Sequence, residues 1–241
     1  MNFYSLTDVG MVRSANQDAF WTGDLSQEIS LCLVCDGMGG AKAGNIASQS
    51  AIQLITDYVK RSFHKHMNEQ ACIELLKSAI ESANIGLYDL SKESDDYEGM
   101  GTTVVAVLIA SDFLAVAHVG DSRAYLSGEE LIQLTRDHSV VQSLLESGKL
   151  TPEEAKVYPG KNVITRALGT EEEVLVDCAI YDRVAGQRLL LCSDGLSNFV
   201  DSGELQKFLQ SENLEEIPKT MIAQANQNGG RDNITAVVAL L

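Results

Sequence analysis

Twice in this sequence an apolar run stops on an aspartate that glycine follows at once. Leu31–Gly40 reads LCLVCDGMGG and Leu189–Asn198 reads LLLCSDGLSN. A carboxylate at the end of a buried strand loses hydration, and pairing or a bound cation must compensate. Glycine beside it lets backbone approach a ligand and expose a carbonyl. The placement recurs at Asp121 in VGDSR, just after an apolar strand, at Asp232 in NGGRDNITAVV, just before one, and at Asp18 in VRSANQDAF, at the start of one. Taken singly, each could be a helix cap or turn residue, where aspartate is common. Taken together, with no His or Cys at the strand-end position itself, they describe an all-oxygen site. Oxygen donors suit Mg2+, Mn2+ or Ca2+ rather than zinc.

The rest of the pattern says how strand ends could be presented. Ala43–Phe63 and Glu69–Leu90 carry apolar residues at i, i+3, i+4 spacing and read as a helical hairpin. Two more helices are expected near Ser202–Gln210 and Leu214–Asn226. TTVVAVLIA and FLAVAHV, joined at Ser111-Asp112, read as a β-hairpin, as do RAYLS and LIQLT around Gly128. Further strands are expected at Phe3–Thr7, Ala19–Thr22, Leu31–Cys35, Leu175–Ile180, Arg188–Cys192 and Asn233–Leu240. Short turns and paired helices argue for antiparallel sheets and against regular βαβ alternation. A run such as VVAVLIA needs cover on both faces, one from a second sheet and one from helices. The expected fold is α+β: a four-layer α-β-β-α sandwich of two antiparallel sheets flanked by helix pairs, forming one domain over residues 1–241. Asp137–Arg166 interrupts the strand pattern with a helix-like SVVQSLLESG, a capping sequence TPEEA and Pro159-Gly160, and reads as a surface excursion.

Thirty-four acids against 18 bases give a formal charge of −16. That field repels nucleic acid and anionic membrane, so neither is an expected partner. Bound cations would neutralise a few of the acids. The longest strongly apolar run, Val104–Ala110, is too short to span a bilayer. The N-terminus lacks the pattern of a secretory signal, and the five cysteines have no regular spacing, so a reduced cytoplasmic setting is expected. Cys32 and Cys35 form C-x-x-C, but three positions apart on a strand they point to opposite faces, as core residues.

VRSANQDAF, LVCDGMGGAKAGNIAS, MGTTVVA, AHVGDSRAYL, LTRDHSVV, NVITRALG, LLLCSDGLSNFV and GGRDNITAVV occur in that order between Arg13 and Val238. They resemble the successive motifs of the PP2C-type, metal-dependent protein serine/threonine phosphatases, in the compact bacterial form. The resemblance implies Mn2+ or Mg2+, two ions per site, with a third in bacterial members. It implies that Asp36 bridges two ions, that the Gly37 carbonyl ligates one, and that Asp194 and Asp232 complete the carboxylate ligands. Asp18 would hold metal-bound water, and Asp121 would ligate the third ion. Arg13 would grip the substrate phosphate, Asn233 would support Asp232 and neighbouring waters, and residues from about 140 to 165 would form a flap beside the active site. The implied substrates are phosphorylated proteins, with a serine/threonine kinase as counterpart and a monomer as the default state.

The implied chemistry is in-line attack on phosphorus by a water or hydroxide shared between two metals roughly 4 Å apart, its pKa lowered by several units. Arg13 would neutralise non-bridging oxygens through its planar fork. Some relatives carry His directly after Asp-Gly as a suspected general acid. Met38 stands there in this chain and cannot donate a proton. His138 is a weak substitute, since a His beside an aspartate is usually a structural hydrogen-bonding residue. His64 and His66 are expected in an exposed loop after the first helix. The competing reading is a non-catalytic relative, a binding or regulatory module that keeps the fold without the metals; every expected ligand is nevertheless present. CDGMGG lacks the second acid of a D-x-D phosphatase, and GGAKAG lacks the G-K-[ST] ending of a P-loop.

Overall fold

The computed structural model describes residues 1–241 apart from His66 and the side chains of Ala41 and Lys42. The loop position expected for His66 therefore lies outside the described residues. The strands are β1 (Phe3–Asp8), β2 (Asp18–Asp24), β3 (Ser30–Met38), β4 (Gly101–Thr102), β5 (Val104–Ile109), β6 (Phe113–Val119), β7 (Arg123–Ser127), β8 (Leu131–Gln133), β9 (Asp177–Asp182), β10 (Arg188–Cys192) and β11 (Ile234–Leu240). The α-helices are α1 (Gly40–Ser62), α2 (Glu69–Ser91), α3 (Val140–Glu146), α4 (Pro152–Val157), α5 (Asp194–Ser197), α6 (Ser202–Leu209) and α7 (Glu216–Gln227).

The strands make two antiparallel sheets, one ordered β1-β11-β10-β7-β8 and the other β2-β3-β5-β6-β9, with β4 paired to the end of β3. Side chains alternate between the faces of a strand, and β5 shows the result. Val104, Ala106 and Leu108 face α1 and α2, while Val105, Val107 and Ile109 face the other sheet. All six are buried. Cys32 packs between the sheets and Cys35 under the helices, as their spacing implies. A third cluster seats α5, α6 and α7 on the outer face of the first sheet through Leu190, Val238, Leu205 and Met221. The four-layer α-β-β-α arrangement follows.

Helix α2 starts where the Asn68 side chain accepts the Ala71 amide at 2.9 Å. Helix α1 ends with Lys60 and Arg61, cations matched to the negative end of a helix. One strand differs from expectation: β9 begins at Asp177, not Leu175. Leu175 is 63% exposed, and Arg166 Nη1 takes its carbonyl at 3.4 Å. Between β8 and β9 the chain makes the expected excursion through α3 and α4. Its stem is closed by Thr165 N donating to His138 O at 2.7 Å and Val140 N to Val163 O at 2.9 Å. A capping box of Thr151 and Glu154 starts α4.

Candidate metal centre

Antiparallel pairing decides which ends meet. Strands two apart in such a sheet run the same way, so β3 and β6, on either side of β5, finish at the same rim. That rim holds Asp36 in β3 and Asp121, two residues past β6. Strand β2 runs opposite to β3, and Asp18 at its start is paired with Asp36. In the other sheet β10 and β11 are antiparallel neighbours, so Asp194, just after β10, lies beside Asp232, just before β11.

Asp18 joins the two sheets at this rim. Its Oδ2 accepts from Ser193 Oγ at 2.7 Å and Thr235 Oγ1 at 2.6 Å. Its buried Oδ1 has no partner among the described residues.

Asp36, Asp121, Asp194, Asp232, Gly37 and Arg13 line one cavity, with Gln17, Met38 and Thr103. The excursion contributes Asn162 and Ile164 to the wall. Asp18 lies behind that lining. Gln17 N donates to Asn233 Oδ1 at 2.8 Å, and Gly37 N donates to Gln17 O at 3.1 Å.

Both Asp-Gly steps have a definite steric reason. A Cβ on Gly37 would stand 2.0 Å from Gly44 O, and one on Gly195 would stand 1.9 Å from Asn233 O. The glycines admit close approach of neighbouring protein backbone, where the sequence suggested approach of a ligand.

The carboxylates carry a heavy electrostatic load. Burial first, then Asp18, Asp194, Asp121 and Asp232, push the Asp36 carboxyl well above the usual carboxylate range. Burial, then Asp194 and Asp232, raise Asp18 to about 7 against two hydroxyl hydrogen bonds. Burial, Asp194 and Asp137 raise Asp121 to about 8. Burial and Asp232 raise Asp194 to about 6. Desolvation penalises each charge and its neighbours repel it. The guanidinium of Arg13 offers relief at one edge, Nη2 donating to Asp232 Oδ2 at 2.8 Å. The other oxygen of Asp232 accepts the Asn233 amide at 2.9 Å. Clustered, partly buried carboxylates with a partnerless oxygen behind them fit hard divalent cations, which would replace repulsion with coordination.

A second cluster, His118, His138 and Asp177, brings three ligand-type atoms within 4.8 Å of one another, a tighter grouping than the rim aspartates make. The hydrogen bonds of His138 and Asp177 are already committed, while His118 Nδ1 is buried without a partner among the described residues. His138 Nδ1 accepts the Gly120 amide at 3.1 Å, so the ring proton sits on Nε2, 3.2 Å from Asp177 Oδ2. Arg166 Nη1 holds Asp177 Oδ1 at 2.7 Å. A cation there would have to displace a guanidinium and strip the imidazole of its remaining proton. His138 does not line the aspartate cavity, in keeping with a structural role.

Sequence reasoning missed Gln17, Thr103, Ser193 and Thr235. All four stand inside or beside the quoted motifs, but their roles depend on which strands pair. The contribution of Asn162 and Ile164 depends on how the excursion folds back, which only the resemblance, through NVITRALG and the expected flap, suggested.

The comparisons with known proteins agree with this geometry. Residues 12–239 match the model of the family described as protein phosphatase 2C. The chain is 38% identical over 235 residues to the serine/threonine phosphatase stp of Listeria innocua, covering 96% of this chain and 92% of that one. It superposes on the serine/threonine phosphatase PstP/Ppp of Mycobacterium tuberculosis with a TM-score of 0.90 at 36% identity, covering 100% and 98% of the two chains. The catalytic domain of a PstP phosphatase in complex with two manganese ions matches with a TM-score of 0.85 at 35% identity, covering 99% and 97%. Strand-end aspartates gathered at one rim, an α-β-β-α sandwich around them and a family match over nearly the full length lead to one assignment: this chain belongs to the protein phosphatase 2C family.

Proposed function

We propose that this chain hydrolyses phosphoserine and phosphothreonine in proteins, using Mn2+ or Mg2+. The observation that carries the reading is the convergence of Asp36, Asp121, Asp194 and Asp232 on one cavity that also holds Arg13. The named phosphatase relatives favour catalysis over a binding module. In this reading Asp36, Asp194, Asp232 and the Gly37 carbonyl hold two ions, and Asp121 serves a third. Bound there, the ions supply a lowered pKa for an attacking water and counter-charge for the phosphoryl oxygens.

The chain's own residues do the rest. Arg13, half-exposed at the mouth, presents a planar fork to non-bridging phosphate oxygens and fixes their orientation. Asp18 keeps Oδ2 saturated and Oδ1 free, which suits it to accept a proton or hydrogen bond from water at the cavity floor. Met38 lines the wall where some relatives carry a histidine, so the leaving alkoxide takes its proton from solvent in the cavity. Asn162 and Ile164 in the cavity wall support reading the excursion as a flap on one domain.

We further infer phosphorylated proteins and a cognate serine/threonine kinase as partners, and a cytoplasmic monomer. No described helix is long and apolar enough to cross a membrane. The test is turnover of phosphoserine, phosphothreonine and phosphotyrosine peptides with Mn2+. Expected is hydrolysis of the first two, abolished by EDTA. Full activity in metal-free protein contradicts the mechanism, and no turnover with any metal favours the binding module.

A further inference from the structure

The segment that carries Arg13 has no secondary structure of its own between β1 and β2. A guanidinium on a free loop would lose much of its binding energy in becoming ordered. One buried side chain ties both ends of this loop to the start of β11. Asn233, 4% exposed, follows Asp232 and opens into β11. Its Nδ2 donates to Val9 O and to Ala15 O, each at 2.9 Å. Its Oδ1 accepts the Gln17 amide at 2.8 Å. Val9 and Ala15 bracket Arg13, so the two protons of one carboxamide draw together the two ends of the loop. Two donors and an acceptor on a short, planar group belong to Asn among side chains of this length. Aspartate has no donors, and serine has one.

A second contact, made without side chains, fixes the same loop to the same place. Gly10, at φ +80°, sits so close to the Asp232 backbone that a Cβ would stand 2.2 Å from Asp232 O. Met11 N donates to Gly230 O at 2.7 Å. The loop is thereby held against Gly230–Asp232, and Arg13 is brought within 2.8 Å of Asp232.

We infer that Asn233 is a positioning residue for phosphate recognition: its carboxamide locks the Arg13 loop to the chain beside Asp232 and so sets the guanidinium over the cavity. This role rests on the phosphatase reading above and extends it. Support for Asp232 comes instead from the Asn233 backbone amide, which any residue but proline at position 233 supplies, so side-chain loss falls on phosphate binding before it falls on metal binding.

The test is a double-mutant cycle of Asn233→Ala with Arg13→Ala, which isolates the part of one residue's effect that passes through the other. KM and kcat are measured on a phosphothreonine peptide at saturating Mn2+, with inorganic phosphate as competitive inhibitor and a Mn2+ activation midpoint for each variant. Amide hydrogen exchange over residues 9–17 is measured on the metal-free proteins. Expected for Asn233→Ala is a roughly tenfold rise in KM and phosphate Ki, a Mn2+ midpoint within threefold of wild type, and exchange over residues 9–17 at least tenfold faster. In the Arg13→Ala background the same change should move KM and Ki less than twofold. Equal effects in both backgrounds, a loss confined to kcat and the Mn2+ midpoint, or unchanged exchange would each overturn the inference. Should the alanine variant not fold, Asn233→Asp, which keeps the acceptor and removes both donors, decides by the same cycle. A wild-type protein that turns over no phosphopeptide refutes the phosphatase reading instead. Accelerated exchange in Asn233→Ala would then still report the loop lock.

Discussion

Replacing Asp36 by asparagine should do two opposite things to this protein. Asp36 stands among Asp18, Asp194, Asp121 and Asp232, and with burial they push its carboxyl upward. Two unit charges about 5 Å apart repel by about 3 kcal/mol at an effective dielectric near 20. Asparagine keeps the shape and cannot ionise, so it escapes the cost that a raised carboxyl pKa places on the folded state above pH 4. The metal-free variant should therefore be more stable than metal-free wild type by at least about 1 kcal/mol at pH 8, or about 2–4 °C in melting temperature for a chain of this size. Mn2+ should reverse the order. An ion at 100 times its dissociation constant adds about 2.7 kcal/mol per site, and a variant without the ligand proposed at Asp36 would forfeit that gain.

The pH dependence has a definite sign. Carboxyls whose folded pKa lies above the unfolded value near 3.9 contribute stability that is full below that value and lost as pH rises through the folded pKa. For Asp194, Asp18 and Asp121 those values are about 6, about 7 and about 8. Metal-free wild type should accordingly lose stability from about pH 4 to pH 8, and the advantage of Asp36→Asn should shrink toward zero as pH falls to 5. Thermal melts at both pH values, with EDTA and with Mn2+, decide it. A metal-free variant less stable than wild type at pH 8, or one that Mn2+ stabilises as much as wild type, would refute the reasoning.

Four further outcomes are expected. Arg13→Ala should raise KM for phosphate esters about tenfold while shifting the Mn2+ activation midpoint less than threefold; an unchanged KM removes Arg13 from the site. The Mn2+ midpoint of wild type should rise as pH falls from 8 to 6, because protons compete for Asp121, Asp18 and Asp194, and a midpoint flat across that range contradicts the coupling. Gly195→Ala, whose Cβ would stand 1.9 Å from Asn233 O, should disturb the Asp194–Asp232 pair and cut activity more than tenfold, and wild-type turnover would show that the close approach is not needed. Leu33→Ala, at a fully buried position under α1, should cost about 2–5 kcal/mol by denaturant titration and leave KM unchanged in the folded fraction.

Much of this arrangement was legible from residues alone, for identifiable reasons. A buried strand that ends in Asp-Gly leaves few physical options, so Asp36 and Asp194 could be singled out before any fold was known. Alternation along VVAVLIA required two apolar layers, which gave the sandwich. The excursion was visible as a break in strand pattern, and Thr151 and Glu154 announced the helix within it. What stayed hidden depends on contacts between distant parts of the chain. Asn233 binds Val9, Ala15 and Gln17, more than 200 residues away in sequence. Asp18 is satisfied by Ser193 and Thr235 only because the two sheets meet at that rim. The start of β9 moved because Arg166 competes for the Leu175 carbonyl, a tertiary effect that residue pattern does not encode.

The central claim is that the aspartate rim holds a pair of divalent ions. Anomalous scattering from a crystal soaked in Mn2+ tests it most directly. Two strong peaks are expected inside the cavity, bonded to Asp36, the Gly37 carbonyl, Asp194 and Asp232. An empty cavity, or manganese seated instead at His118, His138 and Asp177, would contradict the account.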